Sequence, residues 1–168
     1  PIIKDLHNIE CRDAVLDYDS MAEQRDGEGN VVTRWDGRTT KTHPVTGEEV
    51  PDPEARVPVY SYTNPRPAKW PQVDYIVGNP PFIGSKRMRE VLGDDYVDGL
   101  QAAWPDVPQS TDFVMRWWHR SAELTRAGKV KAFGLITTNS LRQVYVRRAV
   151  EPHLTGKNPL HFVFAVPD

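Results

Sequence analysis

A chain of 168 residues with a formal net charge of −2 is long enough for one domain with a real core, and it is not a basic nucleic-acid-binding module. Any contact with nucleic acid must therefore be local. One cysteine, Cys11, excludes an internal disulfide framework and a cysteine-based zinc site, fits a reducing compartment, and reads as a small buried hydrophobe. No apolar run approaches the length of a membrane span and no signal-peptide pattern opens the chain, so we expect a soluble, cytoplasmic protein. Both ends read as cuts through something larger.

In chain order, His7 to Cys11 reads as a short strand with Ile9 and Cys11 on one face, which places Asp13 at its carboxyl end. From Asp17 to about Pro71 glycine, proline, threonine and charges dominate, with Asp26-Gly27 and Thr46-Gly47 as turn signals, so this stretch is expected to be a long insertion. Val31-Val32-Thr33 with Trp35, and Val57 to Tyr62, are expected to form a small hairpin within it. The stretch VDYIVGNPPF, Val73 to Phe82, then sets an apolar run against two prolines. Tyr75, Ile76 and Val77 read as a buried strand that cannot continue, because Pro80 and Pro81 remove two backbone donors. The chain must turn at Asn79. Ser85 is expected to cap a helix beginning at Lys86, Arg87, Met88, Arg89 and Glu90, with Met88, Val91 and Leu92 facing inward and Gly93 as its stop. A second helix is expected over Asp94 to Ala103, broken by Trp104-Pro105. A third should start from Ser110, Thr111 or Asp112 as cap, carry Phe113, Val114, Trp117, Trp118, Ser121 and Leu124 on its inner face, and stop at Gly128. Ala132 to Thr137 reads as a buried strand, Asn139-Ser140 as the cap of a helix from Leu141 to about Glu151, and Leu160 to Val166 as a last strand. This alternation predicts one α/β domain over residues 1–168 with a mainly parallel sheet.

In an open α/β sheet ligands sit beyond the carboxyl ends of the strands, so the turn at Asn79 would lie at the ligand edge. The Asn79 side-chain oxygen and the Pro80 carbonyl are adjacent acceptors with no competing donor from either proline, and they suit an NH2 group. An exocyclic amine on adenine conjugates its lone pair into the ring and is a poor nucleophile. Two acceptors holding its hydrogens favour a pyramidal nitrogen whose lone pair is free for an electrophile in line. Phe82 is placed to stack on the ring, a contact worth about 1–3 kcal/mol. The plainer alternative is an Asn-Pro-Pro turn that merely ends a strand.

GNPPF after an apolar strand resembles the catalytic motif of the S-adenosylmethionine-dependent amino-methyltransferases, and NPPF favours their N6-adenine branch. GNPPFIGSKRM, DFVMRWWHRSAEL, FGLITTNSLRQ and FVFAVPD, in this order, are similar to the methyltransferase region of single-chain type II restriction-modification enzymes. The resemblance implies a partial Rossmann-like fold that carries the insertion and lacks the strands bearing the cofactor's glycine-rich loop. It implies S-adenosyl-L-methionine as cofactor, double-stranded DNA as partner, and further parts of the same polypeptide for cofactor binding, target recognition and, in some members, cleavage. Residue by residue, Asn79, Pro80, Pro81 and Phe82 would hold the flipped base and Asp13 would contact the cofactor's adenine, unless Asp13 is only a loop or capping aspartate. Lys86, Arg87, Arg89, Asn139, Ser140 and Arg142 are candidates for DNA contact, against a plain reading as solvated charges and helix caps. Arg147 and Arg148 extend the second basic group.

Other readings keep the pocket and change the acceptor to cytosine N4, a guanine amine in RNA or a protein glutamine amide, or leave a non-catalytic DNA-binding fragment. A nuclease built on Asp52 and Glu54 lacks its glutamate-x-lysine partner, and Asp94, Asp95 and Asp98 read as a solvated helix end. The five histidines show no metal-site spacing.

Overall fold

The computed structural model describes residues 9–137 and 144–163. The stretch from Leu16 to Pro67 folds back on itself as a long two-stranded ribbon. β1 (Leu16–Asp17), β2 (Ser20–Glu23), β3 (Thr33–Trp35) and β4 (Thr40–Thr42) run outward, and β5 (Glu49–Pro51), β6 (Arg56–Pro58), β7 (Tyr60–Thr63) and β8 (Arg66–Pro67) return. The pairs β1–β8, β2–β7, β3–β6 and β4–β5 are all antiparallel. The hairpin expected from the two apolar runs is thus one rung of a longer structure. A side loop is pinched off between Arg25 and Val31, and Asp26 closes it by accepting the amides of Glu28 and Asn30, each at 2.9 Å. Such Asx-type bonds let a polar sequence satisfy its backbone without a core.

The ribbon lies against the helices. The Asp95 carboxylate accepts the Tyr60 amide at 2.9 Å and stands 3.8 Å from the Arg34 guanidinium. Tyr62 packs over Gly99, where a β-carbon would come within 3.0 Å of the ring. Gly93 has φ of 91° and ψ of 151°, a conformation essentially restricted to glycine, and any side chain there would collide with the Arg34 guanidinium. Asp95 is therefore the ribbon's anchor; the expectation of a solvated acid fails because its side chain is only 5% exposed.

β9 (Tyr75–Gly78) leads through a 3-10 turn (Ser85–Arg87) into α1 (Met88–Leu92), α2 (Asp94–Ala103) and α3 (Met115–Arg126), after which β10 (Ala132–Leu135) and α4 (Val144–Leu154) follow. β9 and β10 pair in parallel, Tyr75 opposite Ala132 through Gly78 opposite Leu135. The core joins Val97 and Leu100 of α2, Phe113, Met115 and Trp118 in and before α3, and Val146 of α4. Val15 and Leu16 enter it from the start of the ribbon. Trp104 donates its indole N–H to the Val15 carbonyl at 2.9 Å, and Trp70 donates to Ala14 at 2.6 Å.

Several expectations change. Ile9 is 68% exposed and residues 9–11 form no strand, His7 and Asn8 lying outside the described residues, and Cys11 is exposed too, because nothing described packs against that segment. β9 is half-buried on one face only: Val77 is 87% exposed while Ile76 and Gly78 turn inward, since the described helices cover a single side of the pair. β10 stops at Leu135 and alternates in the same way. Val91 points outward, and neither Ser85 nor Asp112 caps its helix through a side-chain bond. The aromatic stripe of α3 is core, and Gly128 ends the helix segment with φ of 69°. Residues 160–163 have no regular structure, and 164–168 lie outside the described residues. Among the described residues no helix is long and apolar enough to cross a membrane.

α3 and α4 meet through a histidine pair, His119 Nδ1 and His153 Nε2 being 2.9 Å apart and both rings buried. Burial pushes both imidazoles down, His153 to about 4, with the neighbouring ring and Arg126 adding to the effect there. Glu123 and Asp106 oppose the shift at His119, and Arg120 adds to it. In the folded state the pair stays neutral while an unfolded histidine, at 6.5, takes up protons. The contribution is therefore present above pH 6.5 and is lost as pH falls from there through about 4. Unfolding of the intact protein by urea should show a midpoint that drops between pH 7 and 5, and His153→Gln should flatten that dependence; an equal drop in the variant would assign it to other groups.

Candidate active site

The last rung between β9 and β10 is the Ile136 amide donating to the Gly78 carbonyl at 3.0 Å. With no N–H on Pro80 or Pro81, the ladder has nothing further to offer, and the chain leaves the sheet. Pro80 is buried and roots the turn, while Asn79 and Pro81 are exposed and Phe82 is 51% exposed. Among the described residues none donates a hydrogen bond to the Asn79 side chain or to the carbonyls of Pro80 and Pro81. The turn thus presents open acceptors beside an accessible aromatic face.

The far side of the turn is tied to the segment before α3. Phe113 donates its amide to the Ile83 carbonyl at 2.9 Å, and Asp112 Oδ1 accepts the Ser85 amide at 3.3 Å. Beneath them lies Arg116, 1% exposed, which donates to the carbonyls of Thr111 and Asp112 at 3.3 and 3.2 Å. Burial lowers its guanidinium to about 10, with Tyr96 and Asp112 opposing, so it remains a cation at neutral pH. Asp112 and Thr111, expected as caps, serve the loop and its support instead.

Asp13 sits just ahead of β1, and among the described residues no strand precedes it. Its Oδ1 accepts the amides of Val15 and Leu16 at 2.8 and 2.9 Å, and its Oδ2 accepts the Tyr96 hydroxyl at 2.6 Å. The residue is nevertheless exposed. Tyr96 stacks edge-on against Phe113 at 6.3 Å, and Phe113 holds Ile83, so Asp13 and the Asn79–Phe82 turn stand on one framework. Neither Tyr96 nor Arg116 carried a sequence signal of this role, since the Tyr96–Asp13 contact spans 83 residues.

The basic residues separate. Lys86 is exposed and makes no ion pair among the described residues, and Arg87 lies 3.6 Å from Glu90. Arg89 is held by Asp94 at 2.8 Å and Asp98 at 2.7 Å, so its charge is already matched. Arg147 and Arg148 are exposed on α4. Asn139, Ser140 and Arg142 lie outside the described residues. No group of three His, Cys, Asp or Glu side chains able to hold a metal occurs among the described residues.

A family model described as "MmeI, DNA-methyltransferase domain" matches residues 3–166, nearly the whole chain. No curated protein and no solved structure gives a significant match.

If the Asp112 carboxylate holds the loop, Asp112→Ala should speed amide hydrogen exchange at Ser85 by roughly tenfold, the loss of one modest hydrogen bond. Unchanged protection at Ser85 would show that the Phe113–Ile83 bond suffices.

Proposed function

The chain belongs to the MmeI DNA-methyltransferase domain family, and from that premise we propose that it carries the acceptor side of an N6-adenine DNA methyltransferase within a restriction-modification enzyme. The observation that carries the reading is the turn itself. A parallel strand pair ends at a double proline, and beyond it uncommitted acceptors stand next to a half-exposed phenylalanine. In the proposed mechanism the target adenine leaves the duplex, at a cost of a few kcal/mol, and its ring rests on Phe82. The Asn79 side-chain oxygen and the Pro80 carbonyl accept the two amine hydrogens and bias the nitrogen toward a pyramidal geometry. Pro80, buried, and the Ile83–Phe113 bond keep these acceptors in place, so little reorganisation is needed at the moment of reaction.

S-adenosyl-L-methionine, when bound, supplies the electrophilic methyl group. The donor set fits it in part: Asp13 is an exposed carboxylate in a fixed orientation, suited to the cofactor's adenine amine. Ahead of β9 the only paired glycines, Gly27 and Gly29, lie in the side loop of the antiparallel ribbon and not in a turn from a strand into a helix, and we propose that the cradle for the rest of the cofactor comes from other parts of a Rossmann-like fold. The bare face of Tyr75 and Val77 supports that proposal, since a parallel pair with such a face is characteristically covered on both sides. On this reading the 168 residues alone bind the cofactor poorly.

For DNA the ribbon is a poor candidate. Between Leu16 and Pro67 it carries ten acidic and six basic residues, a net charge of −4, which opposes a phosphate track. Lys86 and Arg87, next to the turn, are the proposed phosphate contacts, and Arg89 is excluded by its two aspartates.

In the intact protein Asn79→Ala should lower kcat for DNA methylation by about two orders of magnitude or more with the unfolding midpoint unchanged. Full activity in that variant would sink the assignment, and mass spectrometry of the product should find N6-methyladenine, with N4-methylcytosine or a methylated protein pointing to another acceptor. Lys86→Ala should reduce the slope of log K against log salt by about one, whereas Arg89→Ala should leave it unaltered. Equal effects of the two substitutions would contradict the division drawn from their ion pairs.

A further inference from the structure

We propose that Tyr96 is a positioning residue for cofactor selection: its hydroxyl aims the exposed Asp13 carboxylate so that the free acceptor capacity on Oδ2 meets a planar exocyclic amine. This rests on the reading above, in which Asp13 faces the adenine amine of the cofactor, and it adds a residue and a role to it.

The geometry separates orienting from holding. The segment around Asp13 is already secured without Tyr96, because Val15 and Leu16 are buried to 0% and 3% exposure and two indoles clasp the carbonyls of Ala14 and Val15. What the Tyr96 hydroxyl adds is a 2.6 Å bond to an oxygen of an otherwise exposed carboxylate. With Oδ1 taking the Val15 and Leu16 amides, the carboxylate is fixed at both oxygens, and its plane cannot rotate freely. An exposed acid ordinarily keeps that freedom; here three donors remove it. A carboxylate oxygen accepts more than one hydrogen bond, so Oδ2 retains capacity for a ligand donor after Tyr96 is satisfied.

Tyr96 is itself held. Its ring meets Tyr62 and Phe113 edge-on, at 6.4 and 6.3 Å, and it is half-buried on α2. Burial first, and the bond to Asp13 second, push its phenol well above the ordinary tyrosine range, so it remains a donor at every physiological pH. Because Phe113 also carries the Ile83 bond, the same ring stack that aims Asp13 supports the acceptor turn. Donor-side and acceptor-side orientation are thereby set by one packed unit, as supporting residues around a reactive site characteristically do.

The test uses the intact protein and two probes, S-adenosylhomocysteine and its analogue lacking the 6-amino group, measured by calorimetry. The quantity read is the ratio of their affinities, which a loss of folded protein does not change. Wild type should favour the aminated compound, and Asp13→Ala should collapse that preference. Tyr96→Phe, which keeps the ring and its edge contacts, should lower the preference by roughly fivefold or more. Tyr62→Phe, which removes a hydroxyl from the same stack, should leave the ratio alone. An unchanged ratio in Tyr96→Phe beside a collapsed one in Asp13→Ala would overturn the role of Tyr96 alone. An unchanged ratio in Asp13→Ala would overturn the cofactor reading of Asp13, and the proposal with it.

Discussion

The loss of two consecutive backbone donors at Pro80 and Pro81 is the constraint on which the rest of this structure turns. A strand pair propagates by exchanging N–H and C=O groups, and when the donors stop after Gly78 the ladder closes at the Ile136 amide. The chain must then be stabilised by something other than the sheet. It finds a buried seat for Pro80, a backbone bond from Phe113 to Ile83, and a carboxylate at Asp112 under the Ser85 amide. Each of these lies behind the turn, which is why Asn79, Pro81 and Phe82 face outward with their polar groups uncommitted among the described residues.

The helices that follow work as a support layer. α2 and the start of α3 bring Tyr96, Phe113, Trp117 and Arg116 together under the turn, with Phe113 and Trp117 in edge contact at 4.9 Å. Arg116 is costly to bury as a cation, and its bonds to the Thr111 and Asp112 carbonyls offset part of that cost while fixing the backbone that carries Asp112. Arg116 and Thr111, both fully buried, therefore organise backbone at the candidate site instead of filling the core.

The ribbon contributes differently. Its strands are short and its surface mostly polar, and it gains order from backbone pairing, from Asx bonds and from its seat on α2 at Asp95 and Gly99. The same helix that fastens the ribbon holds Asp13 through Tyr96. α2 thus links the long excursion, the first core residues Val15 and Leu16, and the framework behind the turn. Arg89, directly after the turn, is drawn into this local electrostatics by Asp94 and Asp98 and is withdrawn from the outward-facing charges.

Local covalent chemistry sets where chains of hydrogen bonds must begin and end. The double proline, Gly93, Trp104-Pro105 and Gly128 each forbid or favour a backbone conformation irrespective of distant partners, so α2 runs over the expected residues and the turn stands where it was placed. The motif order likewise sufficed to recognise the family. Burial and partnership were decided only by tertiary structure. Val77 and Ile76 are chemically alike, yet one is bare and the other half-buried, because the described helices cover a single face of the pair. Asp95 and Asp98 look equivalent on one helix, but only Asp95 meets the ribbon. Asp13 meets Tyr96 across 83 residues, and no periodicity encodes a contact at that separation. A side chain's conformational options are written locally; which neighbour satisfies it depends on how the whole chain closes around it.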